Sequence, residues 1–212
     1  MGNDTMYVSS VDYAYSTLKA KILSGELKQG ERLSKRKMAE LVGTSVIPVI
    51  GALYKLEEDG LVENVERWGS RVAVFDKSRI QDLYMLRQAI ECQIVRILAK
   101  EMTERQYEEC LAIANKLDSL KYSDSELDEI SAIHLSFHLK LAETAGYPSL
   151  IRVLERCSLK WLLCNADKTV KGLRELPEHW HKRILDAIMT RDPVKAEEIM
   201  CEHIYDSFKD II

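Results

Sequence analysis

Long apolar runs are missing from this 212-residue sequence, in which 46% of the residues are hydrophobic and 30% are charged. Because a membrane-spanning helix needs about 20 consecutive apolar residues, we expect no membrane association. The first residues have neither the basic start nor the apolar core of a secretory signal, so we expect no such signal. The composition is typical of a globular protein of the cytoplasm.

Cysteine motifs are also missing. The five cysteines are an odd number, they are widely spaced, and no two of them form a C-x-x-C pair. A disulfide-stapled secreted domain usually has an even number of cysteines, and a dithiol redox protein has a C-x-x-C pair. The pattern therefore favours reduced thiols, most of which act as small core residues.

An excess of positive charge is missing too, because 30 Lys and Arg residues stand against 34 Asp and Glu residues, a net charge of −4. Residues 1–75 carry ten charges of each sign, whereas the remainder carries 20 basic and 24 acidic residues. This balance excludes a protein that is basic throughout. The first part of the chain is better suited than the rest to approach an anionic partner.

The first part contains three helical patterns followed by two short β-rich runs. Apolar side chains recur at helical spacing in residues 10–24, 35–43 and 46–60. Ser34 and Ser45 are suited to cap the second and third helices. Two helices joined by a tight turn and followed by a hairpin at residues 61–75 predict a winged helix-turn-helix domain, which we place at residues 1–76.

The second part, residues 77–212, contains amphipathic helical patterns and no strand signal. The six predicted helices cover residues 78–102, 103–120, 123–146, 148–170, 175–192 and 193–212. Short connectors between helices are typical of antiparallel neighbours. The predicted fold class is therefore mainly α, with an N-terminal winged helix-turn-helix and a C-terminal antiparallel six-helix bundle.

This order of elements resembles a known family. Residues 14–75 resemble the winged-helix domain of the GntR family of bacterial transcription regulators, in the stretches LKAKILSGELKQGERLSKRKMAELVGTS, PVIGALYKLEEDGLV and WGSRVAV. Residues 79–208 resemble the FCD ligand-binding domain of the FadR branch, in DLYMLRQAIE, HLSFHLKLAETAGYPSL and HKRILDAIMTRDPVKAEEIMCEHI.

The resemblance implies a homodimeric regulator rather than an enzyme. In such a regulator the winged domains bind a two-fold operator in double-stranded DNA. The helical domain binds a small organic acid effector, and in many members a divalent metal helps to hold it.

The predicted recognition helix departs from the family pattern. Val46 and Ile50 stand where the family usually has arginines, and Gly51 stands where a Glu often follows. Each lost bidentate arginine contact removes about 1–3 kcal/mol of base discrimination. We therefore expect either an unusual, AT-richer operator or weak DNA binding. The candidate DNA contacts that remain are Lys35, Arg36, Lys37, Thr44, Ser45, Lys55, Arg67 and Arg71.

Four of the five histidines form a candidate metal site. His134 and His138 are four residues apart, so they project from one helix face. His181 and His203 lie on two later helices that antiparallel packing can bring to the same depth. A lone histidine is usually a packed or solvent-facing residue. Here, however, the resemblance places His138, His181 and His203 at ligand positions and His134 where an Asp is expected.

The donor set suits a divalent transition metal, with zinc and nickel as the best candidates. Two kinds of site remain open. A closed four-ligand zinc site would be purely structural, whereas an open one would let an anionic effector complete the coordination shell.

Two further residues are candidates for holding the effector. Arg87 matches the family's arginine on the first bundle helix and can grip a carboxylate, although an i,i+4 salt bridge with Glu91 explains it equally well. Asn165 can face the cavity from the fourth helix.

The leading hypothesis is a DNA-binding transcriptional regulator whose helical domain binds a metal and a small carboxylate. One alternative is a metal- and effector-binding dimer with weakened or lost DNA recognition. Another is a metal-dependent enzyme, which is disfavoured because no general base accompanies the histidines and the winged helix would be unexplained.

Overall fold

A computed structural model describes residues 9–120, 127–156 and 179–208. The chain divides into two compact units, one extending to Phe75 and the other starting at Asp76. The predicted fold class is confirmed, since helices dominate both units and the described residues contain one two-stranded sheet.

The first unit contains three helices and two strands. They are α1 (Ser10–Leu23), α2 (Lys35–Val42), α3 (Val46–Glu58), β1 (Val62–Val65) and β2 (Gly69–Val72). Leu18, Val49 and Leu56 are fully buried and form part of the core of this unit.

The turn between α2 and α3 depends on Gly43, whose φ of 73° lies in the left-handed region that favours glycine. Ser34 and Ser45 occupy the predicted N-cap positions of α2 and α3. Neither side chain makes a capping hydrogen bond, so only the positions of these caps match the expectation. α1 starts with a capped turn, because the Ser9 hydroxyl accepts the Asp12 N–H.

The hairpin is antiparallel, with Val62 opposite Val72 and Val65 opposite Gly69. The segment before α2 runs beside β2, because Leu33 N–H bonds to the Ser70 carbonyl and Gly30 N–H to the Val72 carbonyl. The wing is thereby held against the N-terminus of α2.

The second unit contains six helices within the described residues. They are α4 (Lys77–Glu101), α5 (Glu104–Ser119), α6 (Leu127–Ala145), α7 (Pro148–Arg156), α8 (Trp180–Met189) and α9 (Pro193–Phe208). The fourth helix was predicted to extend to residue 170, but its residues 157–170 lie outside the described part of the chain.

Packing in this unit brings α4 against α9 and α6, and α5 against α8 and α6. Apolar side chains such as Val95, Phe137 and Ile204 are fully buried between these helices. Thr103 and Gln106 form a capping box at the start of α5. This arrangement places the inward faces of α4, α6, α8 and α9 around one interior.

Among the described helices, none is by itself both long and apolar enough to cross a membrane. Taken together, α2 and α3 have the length and apolar composition of a membrane span, but they are bent by 103° at the turn between them.

Candidate metal centre and nucleic-acid interface

The four predicted ligand histidines meet in the interior of the second unit. His134 and His138 lie one turn apart on α6, His181 lies in the first turn of α8, and His203 lies on α9. Each is only 1–2% exposed. His179, the fifth histidine, is the N-cap residue of α8 and is exposed, so it is not part of the cluster.

The ring nitrogens are close enough to share an ion. One nitrogen each from His134, His181 and His203 lie within 4.8 Å of one another, so these residues could hold a metal. His138 completes the group, because its Nε2 lies 3.4 Å from Nε2 of His203. Zinc binds imidazole nitrogen at about 2.0–2.1 Å, which places two nitrogens of a tetrahedral site roughly 3.3–3.4 Å apart. The chemistry and the spacing of the cluster therefore fit a transition metal.

His138 belongs to a buried ionic network with α4. Its Nδ1 lies 2.6 Å from Glu91 Oε2, while its Nε2 lies 3.1 Å from Arg87 Nη2. Arg87 also donates from Nε to the other Glu91 oxygen, at 2.6 Å. The i,i+4 salt bridge considered for Arg87 is therefore present, and the same guanidinium also contacts a histidine of the cluster.

Burial keeps His138 and His203 neutral. It is the main reason that the pKa of His138 falls to about 3, and the nearby Arg87 charge lowers that pKa further. Burial and the neighbouring histidines hold the pKa of His203 well below its usual value. Burial alone would raise the pKa of Glu91, but Arg87 and His138 outweigh it and the pKa is lowered. At neutral pH these two histidines therefore offer uncharged imidazoles, the form that binds metals.

His181 is contacted by a carboxylate from another helix. Asp118, at the end of α5, lies 2.6 Å from His181 Nδ1 through Oδ1. Burial would raise the pKa of Asp118, but its bonds to the ring and backbone N–H of His181 and to the backbone N–H of Lys182 lower it. Asp118 is therefore ionised at neutral pH.

Sequence reasoning identified the four histidines but did not identify Asp118. Glu91 was considered only as a partner of Arg87, through their i,i+4 spacing, and not as a contact of His138. Nothing in the sequence links Asp118 to His181, because they are 63 residues apart. Asn165, the second predicted effector residue, lies outside the described residues.

The first unit contains a basic cleft of about 600 Å³ between the start of α2 and the wing. Its lining includes the predicted residues Lys35, Arg36 and Lys37, together with Arg32 and Trp68. The Arg32 guanidinium lies 5.6 Å from the centre of the Trp68 ring. Sequence reasoning missed Arg32 and Trp68, although Arg32 lies only three residues before Lys35.

The other predicted DNA contacts lie outside this lining. Lys55 pairs with Asp12 at 2.5 Å and Arg71 with Glu63 at 3.0 Å, so both charges are engaged within the unit. Arg67 lies in the hairpin turn with a side chain 92% exposed. Thr44 and Ser45 precede α3, where Ser45 is exposed and Thr44 is half-buried.

The exposed surface of α3 is largely apolar. Ile47 is 80% exposed and Tyr54 is 62% exposed, while Val46 is 36% exposed. Gly51 faces α1, because a Cβ added there would lie 3.0 Å from Val11 Cγ1. The absence of a longer side chain at position 51 thus lets α1 approach α3 closely.

Comparison with known proteins gives two adjacent family matches. The model for bacterial regulatory proteins of the gntR family matches residues 11–72, and the FCD domain model matches residues 82–206. The second match alone spans more than half of the chain.

Individual relatives match along nearly the whole chain. The HTH-type transcriptional repressor GlaR of Escherichia coli (strain K12) is 26% identical over 207 residues, covering 94% of this chain and 94% of its own. The HTH-type transcriptional repressor RspR of the same strain is 27% identical over 203 residues, covering 90% of this chain and 83% of its own. The solved structure of E. coli McbR/YncC has a TM-score of 0.71 at 19% identity, covering 97% and 98% of the two chains, and shows the shared fold.

The matches fall in the order that the structure shows, with a winged helix-turn-helix unit followed by a helical unit. GlaR and RspR are named as transcriptional repressors. The chain thus belongs to the GntR family of bacterial regulatory proteins, in the group that carries an FCD domain, and is a DNA-binding transcriptional regulator.

Proposed function

We propose that this regulator binds a divalent transition metal through His134, His138, His181 and His203, and that a small carboxylate effector held at this site modulates operator binding. The observation that carries the proposal is the convergence of four buried imidazoles from α6, α8 and α9 on one point. An ion bound between them would account for four imidazoles from three helices meeting at one buried point.

Zinc and nickel suit a site of four imidazoles best. Because none of the four ligands is anionic, a bound ion keeps its +2 charge, and that charge attracts an anion. Arg87 supports the same preference, because it is fully buried next to His138 and its Nη2 can donate to a carboxylate. Asn165 remains a candidate second contact to the effector.

On the DNA side, we propose that a homodimer binds a two-fold operator. The cleft residues Lys35, Arg36 and Lys37 would contact phosphates, a role that the N-terminus of α2 also favours. The exposed Val46 and Ile47 can contact thymine methyl groups, which supports an AT-richer operator.

Elemental analysis of protein purified without chelator tests the metal site. We expect about one metal ion per chain in the wild type and a loss of most of it in the His138→Ala, His181→Ala double variant. His179→Ala is the matched control, because it removes an exposed histidine from the start of the same helix as His181. Equal metal content in the wild type and the double variant would rule out the proposed ligands.

Fluorescence anisotropy tests the DNA side, with a duplex from the region upstream of the protein's own gene. We expect two protomers per duplex, and binding that weakens as salt rises. An unrelated duplex of equal length is the control, and the measurement is repeated with chelator and with added metal. Unchanged operator affinity on metal removal would contradict modulation through this site.

A second candidate function is a metal- and effector-binding dimer with weakened DNA recognition. The observation that favours it is the lack of arginine at Val46 and Ile50 on α3. Equal affinity for the upstream duplex and the unrelated duplex at modest salt would support this candidate over the first.

A further inference from the structure

Asp118 makes three contacts to the start of α8 while its side chain is only 7% exposed. Its Oδ1 lies 2.6 Å from His181 Nδ1 and accepts the His181 backbone N–H at 3.1 Å. Its Oδ2 accepts the Lys182 backbone N–H at 3.1 Å. A single carboxylate on α5 therefore contacts both the backbone and the ring of a histidine in the candidate metal cluster.

The chemistry of these groups determines where the ring proton lies. An ionised carboxylate can only accept hydrogen bonds, so the nitrogen that faces it must carry hydrogen. A neutral imidazole has one N–H, and the contact with Asp118 places it on Nδ1 in the neutral form of His181. The lone pair is then on Nε2, which is the nitrogen that His181 can offer to an ion.

The backbone contacts fix the ring in space as well. The first N–H groups of a helix have no partner within the helix and are usually bonded by the N-cap side chain. The N-cap residue of α8 is His179, whose side chain makes no capping bond. Asp118 takes over that role from a neighbouring helix and so holds the first turn of α8, with His181 in it, against α5.

We propose that Asp118 is a positioning residue of the histidine cluster, which caps α8 and holds His181 in the Nδ1–H tautomer with Nε2 available to a metal ion. This inference rests on the proposed metal site. A similar arrangement at His138 supports it, since Glu91 Oε2 lies 2.6 Å from Nδ1 of that ring. Two of the four histidines therefore have a carboxylate at Nδ1, the arrangement by which outer carboxylates orient metal-binding imidazoles.

The tautomer of His181 is measured by ¹⁵N NMR of metal-free protein labelled at histidine. We expect the Nδ1–H form in the wild type. In Asp118→Asn the side-chain amide can accept a backbone N–H and donate to Nδ1, so we expect a shift toward the Nε2–H form. An Nε2–H form in the wild type, or no shift in the variant, would overturn the inference.

Metal affinity is measured by competition with a chelator of known zinc affinity. We expect Asp118→Asn to bind zinc about 10–100-fold more weakly than the wild type. Asp192→Asn is the matched control. Asp192 caps the start of α9, the helix of His203, by accepting the Val194 and Lys195 N–H groups, and these are backbone contacts.

The two variants separate positioning from helix capping. Asparagine caps a helix about as well as aspartate, so a role in capping alone predicts that neither variant changes zinc affinity by more than a few-fold. That result would overturn the inference. If the wild type binds no zinc, the proposed metal function fails, while the tautomer measurement still decides whether Asp118 sets the ring proton of His181.

Discussion

At the scale of single residues, the unusual feature is a pair of buried imidazoles, His138 and His203, whose pKa values lie well below the usual value. His138 touches an arginine through one ring nitrogen and a glutamate through the other. Burial nevertheless dominates its titration and keeps its pKa near 3. Protonating His138 or His203 in the folded, metal-free protein therefore costs free energy.

This cost predicts acid-sensitive stability of the metal-free protein. His138 and His203 have lowered pKa values when folded, whereas an unfolded histidine titrates near 6.5. The unfolded chain thus binds more protons below about pH 6.5, and stability is lost as pH falls through that value. Between pH 7.5 and 5.5 we expect a loss of about 1.4 kcal/mol for each of the two histidines.

Urea denaturation of chelated protein at both pH values measures this loss. The depressed pKa of Glu91 does not contribute in this range, because an unfolded glutamate titrates only near 4.3. His203→Gln should reduce the acid-induced loss by about half, whereas His179→Gln, an exposed control, should leave it unchanged. A stability that does not depend on pH in this window would contradict the assignment of neutral buried histidines.

At the scale of elements, α3 combines the position of a recognition helix with an unusual surface. Its exposed side chains include Val46, Ile47 and Tyr54, and Gly51 lies against Val11 of α1. At position 51, where the family often has Glu, this chain has a glycine that lets α1 pack against α3. In the proposed complex, α3 would read bases by apolar contact while the neighbouring basic cleft contacts phosphates.

Restoring arginines to α3 should strengthen DNA binding. We expect Val46→Arg, Ile50→Arg to gain about 1–3 kcal/mol per bidentate contact on duplexes with guanine at the contacted positions. Each added phosphate contact would also make the slope of log affinity against log salt concentration steeper by about one. Anisotropy titrations at three salt concentrations measure both effects.

Ser16→Arg is the control for added charge, because Ser16 is exposed on α1. It should raise affinity for all duplexes alike and should not discriminate between bases. An equal gain from Ser16→Arg and from the α3 variant would mean that the restored arginines act through charge and not through base contacts.

At the scale of the whole molecule, DNA-contact candidates and metal-ligand candidates lie in different compact units. The basic cleft belongs to the unit that ends at Phe75, and the four histidines belong to the unit that begins at Asp76. A metal bound in the second unit stabilises the folded form of that unit by mass action, by about 2.7 kcal/mol at a free concentration 100 times its Kd.

Hydrogen exchange measured by mass spectrometry locates this stabilisation. We expect zinc to slow exchange in the helices that supply the ligands, α6, α8 and α9, by up to about 100-fold at that concentration. Residues 10–72 should exchange at unchanged rates. The His138→Ala, His181→Ala variant is the control and should show no zinc effect. Equal protection in both units would contradict a site confined to the second.

The sequence by itself determined the order of elements and four of the residues at the site. Periodicity and turn residues locate the helices because these signals are local. His134 and His138 can be paired because a helix turn puts residues four apart on one face. Val46, Ile50 and Gly51 stood out because the family pattern assigns other residues to those positions.

Only the tertiary structure decided what the histidines touch. Asp118 meets His181 across 63 residues of chain, and Arg87 meets His138 across 51. Such contacts depend on how α4 and α5 pack against α6 and α8, and helix periodicity does not specify which long-range pairs meet. Gly51 is similar, since its role becomes visible only when Val11 packs against it. Local patterns in the chain fix its elements, whereas long-range packing sets the burial and the contacts of the groups that those elements bring together.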